Sequence, residues 1–265
     1  MNPQKILLYG LAVLGMLLGW ASLAPAAAQM THQVVIGTPG DDIQTTLGAP
    51  GRDFIKQDGL AGNDTMFISG ADGDDWLEQN GGDGNDSLSI NAGFGNDFVN
   101  QDGGNGNDTL TASGGDGNDW IFQFGGPGDD DLTAGGNFGN DYIYQSGGPG
   151  NDKLKVNGGD GDDLVRMDGG EGDDTLTYDV SAGLDTVYIN GGPGFDTLTV
   201  NAGDVLSYTL VDENGKVLCQ RSTGGTYIIV REVEQITVLN AAGQKICGWT
   251  HPGSTAPIIP GLLLD

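Results

Sequence analysis

Fifteen aspartates stand eleven residues apart without a slip: Asp42, Asp53, Asp64, Asp75, Asp86, Asp97, Asp108, Asp119, Asp130, Asp141, Asp152, Asp163, Asp174, Asp185 and Asp196. A glycine precedes each by two positions, from Gly40 to Gly194, and the residue between is usually Asn or Asp. Self-similarity at one fixed period means that a small unit stacks on copies of itself. Within a unit such as "GGDGNDSLSIN" (81–91), six residues carry turn chemistry and five alternate polar and apolar, the period of a strand. Turns that all have the same sense cannot make hairpins. The pattern therefore predicts a solenoid of parallel strands.

A second period sets the size of the coil. The residue after the aspartate alternates (Phe54, Thr65, Trp76, Ser87, Phe98, Thr109, Trp120), and so does the residue four places after it (Gln57, Ile68, Gln79, Ile90, Gln101, Ala112). The true repeat is twenty-two residues, with two strands and two turns per coil. The expected fold is all-β: a parallel β-roll, or β-solenoid, of two sheets with a small C-terminal β cap. Strand alternation turns Leu77, Leu88, Val99 and Leu110 inward, together with Gln57, Gln79, Gln101, Gln123 and Gln145, whose amides can bond along the stack. Phe54, Trp76, Phe98, Trp120 and Tyr142 turn outward as an aromatic stripe.

Charge points to a ligand. The chain carries 37 Asp and Glu against 10 Lys and Arg, a formal net charge of -27, the wrong sign for nucleic acid or an anionic lipid surface. Aspartates one coil apart lie about 5 Å from each other and repel unless a cation lies between them. Calcium suits such turns, because it takes carboxylate and main-chain carbonyl oxygens alike.

At this point the units "GGDGNDSLS" (81–89), "GGNGNDTLT" (103–111), "GGDGNDWIF" (114–122) and "GGEGDDTLT" (169–177) resemble the RTX, or haemolysin-type, calcium-binding repeat, G-G-x-G-x-D-x-U-x. The resemblance covers roughly residues 37–201. It implies a β-roll with several Ca²⁺ ions held in the turns by the fifteen aspartates and by main-chain carbonyls. The unit here is eleven residues rather than nine, which implies longer strands and a wider sheet. Weaker sites are expected where Arg52, Leu184 and Phe195 replace the Asn or Asp beside the ligand.

The ends differ from the repeats. Residues 1–28 read as a signal peptide, a Lys followed by an apolar run and an A-x-A site ending at Ala28, so the destination expected is secreted or extracellular, or else periplasm or cell surface. No stable membrane insertion is expected after its cleavage. Residues 29–36 read as an N-terminal cap strand, 37–201 as the repeats, 202–250 as the β cap and 251–265 as a flexible tail. In an exported protein Cys219 and Cys247 are expected to pair and staple the cap.

Identical carboxylates along a rod are ligands rather than one acid and one base, and no nucleophile, zinc or cofactor motif is present, so no enzyme activity is expected. The expected function is a calcium-folded extracellular scaffold. The rival reading is an adhesin or carbohydrate-binding module that takes a cell-surface glycan or protein on the aromatic stripe. A remoter one is ice binding through the Thr-x-Thr rungs of the opposite face.

Overall fold

The computed structural model describes residues 30–203, 207–221 and 225–250. The expected signal peptide (1–28) and the expected tail (251–265) lie outside the described residues. Within them the chain is all strand and forms two parallel sheets wound as a β-solenoid of about nine turns. One sheet contains, in order across it, β1 (Thr31–Ile36), β3 (Asp53–Ala61), β5 (Trp76–Asp83), β7 (Phe98–Asn105), β9 (Trp120–Phe124), β11 (Tyr142–Pro149), β13 (Leu164–Glu171), β15 (Thr186–Asn190), β19 (Thr226–Arg231), β17 (Tyr208–Asp212) and β18 (Val217–Arg221). The other contains β2 (Ile43–Leu47), β4 (Thr65–Asp72), β6 (Ser87–Phe94), β8 (Thr109–Asp116), β10 (Asp131–Phe138), β12 (Lys153–Asp160), β14 (Thr175–Asp179), β16 (Thr197–Gly203), β20 (Gln235–Asn240) and β21 (Lys245–Thr250).

The register is twenty-two residues throughout the repeats: Phe54 pairs with Trp76, Trp76 with Phe98, Leu88 with Leu110. Between the sheets lies one continuous apolar core that includes Leu77, Leu88, Val99, Leu110, Ile121, Leu132, Ile143 and Leu154. The inward glutamines are fully buried and bonded. Gln79 Nε2 donates to Gln57 Oε1 at 2.8 Å, Gln101 to Gln79 at 2.9 Å, Gln123 to Gln101 at 2.8 Å and Gln145 to Gln123 at 2.7 Å. Each amide also donates to a carbonyl of the facing sheet, as Gln101 does to Thr111 at 3.2 Å. A polar column is thereby buried with its donors used.

Two features depart from expectation. Most strands in the repeats are eight residues long rather than five, because the first glycines of each turn keep the ladder going from coil to coil. Gly82 pairs with Gly104, and Gly84 donates to the carbonyl of Asn105 at 2.8 Å. The stacking requires glycine there: Gly84 has φ +140°, and a Cβ would strike the carbonyl of Gly62 in the neighbouring coil.

The solenoid also outlasts its motif. β19 and β20 carry no repeat signature, yet they pair in parallel with β15 and β16 and complete a further coil. The C-terminal region is thus not a separate layer. Its hairpins, β17–β18 and β20–β21, close the last edge of each sheet with antiparallel strands. A disulfide joins Cys219 on β18 to Cys247 on β21, with Cα atoms 6.2 Å apart, and so ties the outermost strand of one sheet to that of the other.

Candidate metal centre

Each repeat aspartate directly precedes a strand, except Asp53, which is the first residue of β3. Fourteen of the fifteen are buried, from 0 to 3 % exposed, and Asp42 in the first turn is half-buried. They form two columns, one on each edge of the solenoid, with members twenty-two residues apart. Along a column Oδ1 of one aspartate accepts the backbone N–H of the aspartate one coil earlier. Asp64 N–H donates to Asp86 Oδ1 at 2.7 Å, Asp86 to Asp108 at 2.7 Å and Asp97 to Asp119 at 2.8 Å. An outer column formed by the preceding residue runs the opposite way: Asn85 N–H donates to Asn63 Oδ1, and Asn107 N–H to Asn85 Oδ1, both at 2.8 Å. Leu184 and Phe195 still donate their N–H groups, to Asp162 and Asp173, but offer nothing to a following rung. Arg52 is instead paired with Asp74 at 3.5 Å.

The second carboxylate oxygen is the unusual atom. In twelve aspartates (64, 75, 86, 97, 108, 119, 130, 141, 152, 163, 174 and 196) Oδ2 is buried and has no hydrogen-bond partner. A buried acceptor left without a partner is costly, and a charged one more so. This oxygen faces an oxygen-lined space: a Cβ placed on Gly103 would run into both Asp108 Oδ2 and the main-chain carbonyl of Gly125 one coil on. One carboxylate oxygen and nearby carbonyls are the donors that a calcium-type ion takes. Among the described residues no three acidic, His or Cys side chains converge on a point, so such an ion would rely on the main chain for much of its shell.

The other three aspartates satisfy Oδ2 within the protein. Asp42 accepts the N–H of Thr38 at 2.5 Å, and Asp53 that of Ala49 at 2.8 Å. Asp185 Oδ2 accepts three hydroxyls, from Tyr178 at 2.9 Å, Thr226 at 3.1 Å and Ser181 at 3.3 Å. Its unit also has Val180 where most units begin with glycine. These hydroxyl partners lay beyond sequence reasoning, because Thr226 comes from outside the repeats.

Electrostatics reflects this burial. Loss of hydration, reinforced by neighbouring carboxylates, pushes Asp97, Asp130, Asp163 and Asp196 up to about 7. Burial likewise raises Asp75, Asp108, Asp119, Asp141, Asp152 and Asp174 to about 6. Without a counter-charge Asp97, Asp130, Asp163 and Asp196 are only partly ionised at neutral pH.

The aromatic stripe is on the surface, with Trp76 44 % and Trp120 58 % exposed. Its rings lie against one another rather than flat to solvent: Trp76 and Phe98 are stacked with centroids 4.2 Å apart, and Phe54 lies 6.4 Å from Trp76. The stripe then turns diagonally. Phe98 meets Phe122, and Phe122 meets Tyr142, each at 5.5 Å, while Phe124 meets Tyr144 at 5.7 Å. The straight column Phe54, Trp76, Phe98, Trp120, Tyr142 is therefore part of a broader patch. Phe122, Phe124 and Tyr144 belong to it because alternate strand residues share a face.

Comparison with protein-family models, with curated proteins and with solved structures found no match.

Proposed function

We propose that this chain is an exported calcium-binding scaffold whose solenoid is completed by divalent ions lying along its two aspartate columns. The observation that carries the reading is the set of twelve buried Oδ2 atoms without a partner. A cation beside each column would supply the missing positive charge and bind the main-chain carbonyls that lie beside these oxygens. Coupling of metal to folding follows: the acidic repeats stay expanded where calcium is scarce and order where it is plentiful. The signal segment at 1–28 and the pairing of Cys219 with Cys247 agree with an oxidising, calcium-rich destination outside the cytoplasm.

The aromatic patch supports an adhesin reading less well. A sugar ring stacks on an aromatic face, and the faces of Trp76 and Phe98 are turned to each other. The test is a calcium titration of the mature protein, followed by circular dichroism and small-angle scattering. Strand signal and compactness should rise together with calcium. A protein that is equally compact in excess chelator at neutral pH, with no bound metal, overturns the reading.

A further inference from the structure

The two aspartate columns end differently at the C-terminal coil. One runs from Asp53 to Asp185 and is closed by Thr226, whose hydroxyl serves Asp185. The other runs from Asp42 to Asp196, and there the next coil presents Glu234. Asp196 donates its N–H to Glu234 Oε2 at 2.8 Å, the bond that a further aspartate would accept if the repeat continued. Asp196 itself is fully buried, and its Oδ2 has no partner.

The main chain completes the likeness. From Tyr227 to Gln235, the partners of Thr186 and Thr197, the chain takes eight residues where a repeat takes eleven, and the loss falls in the turn around Glu232, Val233 and Glu234. To make so short a turn Glu232 adopts φ +47°, a conformation that L-residues rarely take. Its carbonyl then occupies the place that the next coil's glycine carbonyl fills in the repeats: a Cβ on Gly191 would meet both the Glu232 carbonyl and Asp196 Oδ2. The Glu232 side chain is held outside by Arg231 at 2.7 Å, so only its carbonyl faces inward.

We infer that Asp196, Glu234 and the main-chain carbonyl of Glu232 form a divalent-cation site outside the eleven-residue repeat, which seals the C-terminal end of one column. The inference rests on the proposed calcium reading of the columns. It adds a ligand, Glu234, that no repeat motif marks. It also assigns the two column ends opposite chemistry, a cation at Asp196 and hydroxyls at Asp185.

The test counts calcium ions on the mature, disulfide-bonded protein by native mass spectrometry across a calcium titration. Glu234→Gln keeps an oxygen to accept the Asp196 N–H but removes the charge, and it should bind one ion fewer than the unsubstituted protein at saturation. Asp185→Asn should leave the count unchanged. If Glu234→Gln does not reach the folded circular-dichroism signal, Glu234→Asp, whose carboxylate is drawn back from the site, is counted in its place with the same expected loss. An unchanged count in the folded variant overturns this site and leaves the column reading standing. A protein that binds no calcium at all overturns both.

Discussion

Thr226 stands one coil beyond Asp185 and gives its hydroxyl to Asp185 Oδ2 at 3.1 Å, at the level where each earlier rung of that column meets another aspartate. Tyr178 and Ser181 add their hydroxyls to the same oxygen. The molecule thus contains its own contrast: the two end carboxylates of this column, Asp53 and Asp185, are satisfied by protein donors, while the second oxygens of those between them are not.

The first prediction concerns Tyr178. Its hydroxyl stays protonated, because burial and then Asp185 hold its pKa well above the usual phenol range, so it is a dependable donor. Tyr178→Phe should cost about 1–3 kcal/mol. The loss should be the same in calcium and in chelator, since no ion is needed there. Paired thermal melts check it; a loss present only in calcium would mean that Asp185 is also an ion ligand.

A mid-column substitution should behave otherwise. Asp108→Asn keeps an oxygen for the Asp86 N–H, which Asp108 Oδ1 accepts at 2.7 Å, and replaces the partnerless Oδ2 with a donor beside the Gly125 carbonyl. In chelator the variant should melt higher than the parent, because a buried charge is gone. In calcium it should melt lower, because a ligand is gone. With roughly 2–4 °C per kcal/mol for a chain of this order of size, shifts of a few degrees in opposite directions are expected.

Acid should substitute for metal. The folded-state values of Asp97, Asp130, Asp163 and Asp196 rise to about 7 from an ordinary 3.8. A raised folded value means that the folded protein binds protons more tightly than the unfolded chain. The stability that these groups contribute is fully present below 3.8 and is lost as pH climbs through about 7. Chelated protein should therefore be compact near pH 5 and expand towards pH 8, while calcium-loaded protein should change little over that interval. Scattering or hydrodynamic radius against pH, with and without chelator, decides it.

The glutamine stack should be uneven. Gln101 is bonded on both sides, to Gln79 and from Gln123, so Gln101→Met strands a donor and an acceptor and should cost about 1–3 kcal/mol. Gln145 ends the column with Oε1 unpartnered, facing Met167 in the next coil. Gln145→Met only moves that orphan back to Gln123 Oε1 and strands no amide donor of a neighbouring glutamine, so it should cost distinctly less. Denaturant midpoints of the two variants, measured in the same calcium concentration, make the comparison.

The two-period pattern made the coil legible before any coordinate was known: Phe54 against Thr65 and Gln57 against Ile68 already separate the faces. The eight-residue strands were not legible, because glycine reads as turn, and only a stacked identical turn makes it a ladder residue. The last coil was hidden for a different reason. Thr226, which opens β19, and Glu234, just before β20, stand in the place of the aspartates, but the turn between them is three residues short and removes the spacing on which the repeat is recognised. The direction of the carboxylates was hidden too: the repeat marks Asp86 and Asp108 as neighbours, while the backbone bond that turns both inward arises only once the coils are stacked.

The bond between Cys219 and Cys247 has a mechanical consequence. It clasps the two sheets at their final strands, so neither can peel away there without breaking a covalent link. At the opposite extremity, among the described residues, β1 and β2 each have one open side and no such clasp. A spring pinned at one end unwinds from the other, and loss of ions should undo this one coil by coil from Thr31 onwards.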